Sequence, residues 1–235
     1  MQTEALIRAL VADARPVRRL APAAWRSALW LSGAFLLVVV SSWVQGVRPD
    51  LGARSRDVHF VLENAALLAL CVLGAQSAFR LSVPGEERLR ATQAAPIAAG
   101  VVWLGLVLLR GALGPESFAG SARPGFVCLE RLLSLGALPI GAVWAMLRAA
   151  APERLRWTGL CAALSAFALG TLGMQLRCPI DRPLHVLLWH GLPLSLLGLL
   201  GAALGRPALA RRRRQVFAAP GSLGGATPSG SGSGR

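Results

Sequence analysis

The chain has no lysine and no tyrosine, and few acids. Only 15% of its 235 residues are charged, against roughly 25% in a soluble domain. With 54% hydrophobic residues and a mean hydropathy of +0.54, that shortage excludes an ordinary soluble fold and points to lipid as the solvent. Eleven acids stand against 25 arginines, for a net charge of +14. In a soluble protein such a balance would indicate nucleic acid. Here the arginines sit between apolar runs and at both ends, so they read as membrane orientation, and no direct nucleic-acid binding is expected. Without tyrosine, an interfacial belt falls to the seven tryptophans, most of them near the ends of apolar runs. Neither C-x-x-C nor H-x-x-x-H occurs, which argues against a zinc-type signature and against a membrane thiol oxidoreductase.

A bilayer core of about 30 Å takes about 20 apolar helical residues. Six runs qualify: 27–45, 58–79, 94–114, 132–148, 158–176 and 186–204. They predict an all-α integral membrane bundle of six transmembrane helices. The fourth is the shortest and holds Pro139, which predicts a kink or local thinning. The first is not a signal peptide, because a 26-residue polar leader precedes it and no A-x-A site follows. Seventeen arginines lie in the leader, in 80–93 and 148–157, and beyond 205, whereas eight lie on the opposite side. The positive-inside rule therefore puts both termini in the cytoplasm and leaves 46–57, 115–131 and 177–185 outside. The chain divides into a cytoplasmic leader at 1–26, a transmembrane unit at 27–204 and a tail at 205–235. In that tail the Arg211 to Arg214 run suits anionic lipid headgroups, and the Gly/Ser-rich end reads as disordered linker.

Cys71 and Cys161 fall inside apolar runs and read as small core hydrophobes. Cys128 and Cys178 fall in two different outward loops. In an oxidising compartment they would form a disulfide; reduced, they would await an oxidant or a soft metal. The second opens the run "CPIDRPLHVLLWH", Cys178 to His190, with a thiol, two imidazoles and a carboxylate within thirteen residues. Asp181 or Arg182 suits a helix cap and Pro183 the first turn of the sixth helix. Cys178 then stands just ahead of a helix N-terminus, which favours its thiolate, as do Arg177 and Arg182. His185 and Trp189, four apart, share a face. His190 is five from His185, about 140° around an α-helix, so the two imidazoles are not expected to converge unaided. Cys128, Cys178 and His185 offer ligands for a transient heavy-metal ion, and His190 joins them as a signal-sensing candidate. Metal or thiol sensor, redox switch and structural staple all stay open.

His59, Glu63 and Asn64 form an intramembrane polar group in the second run. An ionisable side chain there marks function by default, because its burial is costly. The plainer reading is an interhelical bond from Glu63 to an arginine such as Arg110. In the leader, "TEALIRALVADARPVRRL" reads as a short amphipathic helix capped by Thr3, with Leu6, Leu10 and Val17 at roughly helical spacing. Pro16 interrupts it, and Arg18 and Arg19 follow. Such a segment either lies on the inner leaflet or folds into a groove on a cytoplasmic partner.

Four features together resemble the NrsF-type proteins: "LIRALVADARPVRRLAP" in the leader, "FRLSVPG" from Phe79 to Gly85, the lone Cys128, and "CPIDRPLHVLLWH". These are bacterial six-span inner-membrane anti-sigma factors. The resemblance runs from about Leu6 to about Gly205, and C-P-x-D-x-P-x-H-x-x-x-W-H is its specific part. It implies that the leader holds an extracytoplasmic-function sigma factor, with Leu6, Leu10, Asp13, Arg15, Val17, Arg18 and Arg19 as contact candidates. It also implies that the cysteines matching Cys128 and Cys178 sense heavy-metal or related thiol-reactive stress. The expected protein is a non-enzymatic regulator in the bacterial inner membrane, with the lipid bilayer as its other partner. A membrane metal-ion transporter and a thiol redox protein are the competing classes.

Overall fold

A computed structural model describes residues 3–12, 20–83, 90–113, 125–150 and 152–217. Among them there is no strand. The order is α1 (Thr3–Ala12), α2 (Ala23–Gln45), α3 (Leu51–Arg54), α4 (Val58–Arg80), α5 (Arg90–Leu113), α6 (Phe126–Arg148) and α7 (Leu155–Gln175). Then come α8 (Pro183–Val186), a π-helical turn (Leu187–Gly191) and α9 (Leu192–Phe217). Six segments are long and apolar enough to cross a membrane: Ala23–Gln45, Val58–Arg80, Ala91–Leu113, Phe126–Arg148, Leu155–Gln175 and Pro183–Ala210. They match the six apolar runs. An even number of crossings returns both ends of the bundle to one side, here termed the leader end; the opposite side carries Cys128 and Cys178 and is termed the cysteine end.

Two boundaries differ from the hydropathy reading by more than four residues. α6 starts at Phe126 rather than 132, so Cys128 belongs to its first turn instead of a loop. Glu130 and Arg131 break the apolar run, but at a helix end such side chains reach water while the helix continues past them. At the other limit α9 runs to Phe217, beyond 204, and carries the Arg211 to Arg214 run in helical backbone, consistent with the helix propensity of arginine. Residues 114–124 and 218–235 lie outside the described residues, which removes most of the expected 115–131 loop and the end of the tail.

The bundle is organised around α7. Its run of Gly, Ala, Ser, Thr and Cys lets neighbouring backbones approach, and it packs against α9, α4 and α6. The closest approach is at Gly159, where an added Cβ would lie 2.2 Å from the Gly201 carbonyl oxygen and 2.9 Å from the Gly205 Cα. Gly201 and Gly205, four apart on α9, thus lie in a helix crossing inside the chain. Cys71 and Cys161 are fully buried beside this axis, as expected, and Ser165 Oγ donates to the Cys71 carbonyl at 2.6 Å. α2 is peripheral: Leu36, Val39, Val40, Trp43 and Val44 on it are exposed, the surface that lipid would cover. Trp30 Nε1 donates to the Pro139 carbonyl at 3.0 Å and ties α2 to α6.

Candidate functional site

Cys128, Cys178, His185 and His190 converge at the cysteine end, each offering a ligand atom, and these atoms lie within 4.8 Å of one another. Cys128 Sγ is 3.5 Å from Cys178 Sγ, a contact between separate sulfurs, and Cys178 Sγ is 3.6 Å from His185 Nε2. Cys178, His185 and His190 are buried, and Cys128 is partly so. Cys178 sits on the turn that ends α7, with its N–H donating to the Met174 carbonyl at 2.7 Å. A hydrogen bond with the Cys128 thiol draws the Cys178 pKa below the ordinary thiol range; burial opposes this, and His185 and His190 assist it.

Convergence of the two imidazoles corrects the expectation from α-helical geometry. Their ring centroids are 5.5 Å apart with planes at 80°. The cause is the π-helical turn at Leu187–Gly191, where the Leu192 N–H reaches back five residues to the Leu187 carbonyl. An i→i+5 turn stacks residues five apart, as His185 and His190 are. Its origin is legible in "WHGLPL": Pro193 has no N–H for the Trp189 carbonyl, and its ring crowds that oxygen, so the turn widens. Trp189 consequently packs edge-to-face with Phe126, with centroids 4.8 Å apart and planes at 67°, rather than on His185. Both ring nitrogens of His190 are buried and have no hydrogen-bond partner.

A second arrangement, not anticipated from sequence, binds the Cys178 loop to α2. Arg48 follows α2 and its side chain is fully buried. It donates to both Asp181 oxygens, at 2.8 and 2.5 Å, and to both Asp50 oxygens, at 2.6 and 2.8 Å. Arg54 Nε adds a contact to Asp181 at 2.9 Å. The Asp181 carboxylate, then Asp50, raise the Arg48 pKa well above the usual arginine value, and Arg48 in turn lowers that of Asp50. The Arg48 N–H donates to the Leu176 carbonyl at 3.0 Å, and Arg177 donates to Gln45 Oε1 on α2. Asp181 is therefore a loop clamp rather than a helix cap; Arg182 takes the cap position without a side-chain bond. An acid amid arginines was the available signal, but its partner lies 133 residues away.

The remaining candidates are not brought to this cluster. Glu63 is buried and pairs with Arg110 Nε at 2.9 Å, the interhelical bond expected for it. Asn64 Nδ2 donates to the Phe60 carbonyl at 2.8 Å, and His59 is exposed at the start of α4. Leu6 and Leu10 lie in α1, whereas Asp13, Arg15, Val17, Arg18 and Arg19 lie outside the described residues. At the leader end, Arg26 Nη2 donates to Ser82 Oγ at 3.1 Å, and its guanidinium lies 5.2 Å from the centre of the Phe79 ring. Arg26 thus fastens the start of α2 to the first half of "FRLSVPG".

Fold and site together define a class: a multi-pass helical membrane protein with a cysteine–histidine cluster at one end of its bundle. A family model described as NrsF, negative regulator of sigma F, matches residues 10–210, and the chain belongs to that family. The match covers all six crossing helices and the cluster, and the family description supports a regulatory role toward a sigma factor. No curated protein and no solved structure matches the chain.

Proposed function

We propose that the chain is a membrane-bound anti-sigma factor of a bacterial inner membrane, with its leader in the cytoplasm and its cysteine end in the periplasm. Residues 1–26 sequester an extracytoplasmic-function sigma factor and release it when heavy-metal or other thiol-reactive stress modifies Cys128 and Cys178. One observation carries the coupling: the Cys178 loop is bound to the far end of α2, the helix whose near end bears the leader. Exposed Ile7 and Val11, one turn apart on α1, offer an apolar stripe to such a partner.

Energetics set what the signal must supply. Moving a 99% bound population to 1% takes about 5.5 kcal/mol of bias between two states. A disulfide contributes about 2–4 kcal/mol, so oxidation alone gives partial release. Ligation of a metal by thiolates contributes more. Capture of the sigma factor by the solubilised full chain, compared with a chain lacking residues 1–20, tests the leader; equal capture refutes its role. Replacing Cys128 and Cys178 by serine tests the sensor: repression should persist while induction is lost. Loss of the protein itself from the membrane would make the pair a staple instead.

A further inference from the structure

Deepening that reading of the cluster as the stress sensor, on which it rests, we infer that Cys128, Cys178, His185 and His190 together hold a resident zinc-class divalent cation before any stress arrives. The donor set is two sulfurs and two imidazole nitrogens, which suits a borderline-soft d10 ion in a closed tetrahedral site. Metal–sulfur bonds of about 2.3 Å and metal–nitrogen bonds of about 2.0–2.1 Å put tetrahedral ligands roughly 3.8 Å apart for S···S and roughly 3.6 Å apart for S···N. The observed separations are 3.5 Å for the sulfurs and 3.6 Å for Cys178 Sγ to His185 Nε2.

His190 is the independent pointer. A fully buried imidazole with neither nitrogen in a regular hydrogen bond, helped only by its electrostatic contact with Cys178 and the edge of the His185 ring, carries a desolvation cost. The π-helical turn that brings it beside His185 itself gives up regular helical bonding. A metal bond to His190 removes the first cost and gives the second a purpose. Hard cations do not suit the site, because the nearby carboxylate, Asp181, is already committed to Arg48 and Arg54. Charge also fits: each thiol gives up its proton on binding, and two thiolates with one divalent cation form a neutral unit, tolerable at a buried position. Thiophilic stress metals would then act by exchange at the same sulfurs.

The test uses the full chain in detergent micelles, purified under reducing conditions, stripped with chelator and titrated with Co2+. One Co2+ per chain, with intense tetrahedral d–d bands, sulfur-to-cobalt charge transfer and bleaching by added Zn2+, is the expected result. His190→Ala should weaken binding by more than the roughly 10–100-fold that loss of an outer-shell partner costs. His190→Cys should bind again with stronger charge transfer, which guards against a variant that fails to fold. Weak octahedral bands, or unchanged binding in a folded His190→Ala, overturn the inference. Sigma-factor capture in the same samples separates the two claims. Capture without cobalt binding overturns the metal site alone, and cobalt binding without capture overturns the anti-sigma reading alone.

Discussion

Asp181→Asn removes the charge that joins the Cys178 loop to the end of α2, and its consequence can be worked through. The Asp181 side chain is 5% exposed and that of Arg48 is fully buried. Breaking a buried pair by removing one partner costs about 3–5 kcal/mol. Arg48 keeps both bonds to Asp50, so the lower figure applies. What then joins the loop to α2 is the Arg48 N–H bond to Leu176 and the Arg177 bond to Gln45, together about 2 kcal/mol at about 1 kcal/mol each. A coupling of about 2 kcal/mol moves the free-to-bound ratio by about 30-fold, whereas a full switch needs about 10⁴-fold. A sigma-dependent reporter, read with and without cadmium and paired with immunoblots of the membrane fraction, measures this. Repression without stress should be unchanged and induction strongly reduced. Full-amplitude induction in Asp181→Asn, at the native protein level, would refute α2 as the route.

Gly159→Val should separate α7 from α9, because its Cβ meets the Gly201 carbonyl at 2.2 Å; the loss, at least the about 1–3 kcal/mol of an overpacked core, is read by thermal unfolding in detergent. Glu63→Gln strands Arg110 and should lower stability by about 3–5 kcal/mol, while liposomes of either protein show no metal flux; flux in the native chain that vanishes in the variant would favour the transporter. The Asp50 pKa is lowered by Arg48, so its contribution is present above the unfolded value of about 3.9 and is lost as pH falls through the lower folded value. Asp50→Asn should therefore flatten the acid limb of the unfolding temperature against pH, and an unaltered limb would show that the pair contributes nothing.

Six crossings were legible because lipid imposes a length and composition that no soluble helix needs to meet, and Cys71, Cys161 and Glu63 followed from that frame. The first turn of α6 was missed because hydropathy weighs Glu130 and Arg131 by charge and not by their place at a helix end. His190 was misjudged because its position was counted with 3.6 residues per turn, although Pro193, three residues on, widens that turn. Arg48 and Asp181 gave no local sign of each other, since their pairing exists only once α2 and α7 lie side by side in the bundle. Glu63 with Arg110 was readable because opposite charges stood alone in apolar runs, whereas Arg48 with Asp181 was not, since both stand among other charged residues.

The placement of α2 suits it to the reporting role proposed for it. α7 is buried along nearly all of its length among α4, α6 and α9. Displacing it would disturb packing throughout the bundle, and close-packed interiors resist such shifts. α2 lies at the edge with its outer face exposed, so its movement exchanges lipid contacts for lipid contacts. It is about 34 Å long at about 1.5 Å per residue. Its fastenings are few and specific: Arg48 and Gln45 at the cysteine end, Trp30 on Pro139 within its length, and Arg26 on Phe79 and Ser82 at the leader end. Under the proposed mechanism, a rigid rod held at such points would carry a shift of the Cys178 loop to the residues immediately after the leader. On that proposal the shift would have to alter the Arg26 joint to be felt there, which would give Phe79 and Ser82 a part in signalling that their position at the end of α4 does not by itself suggest.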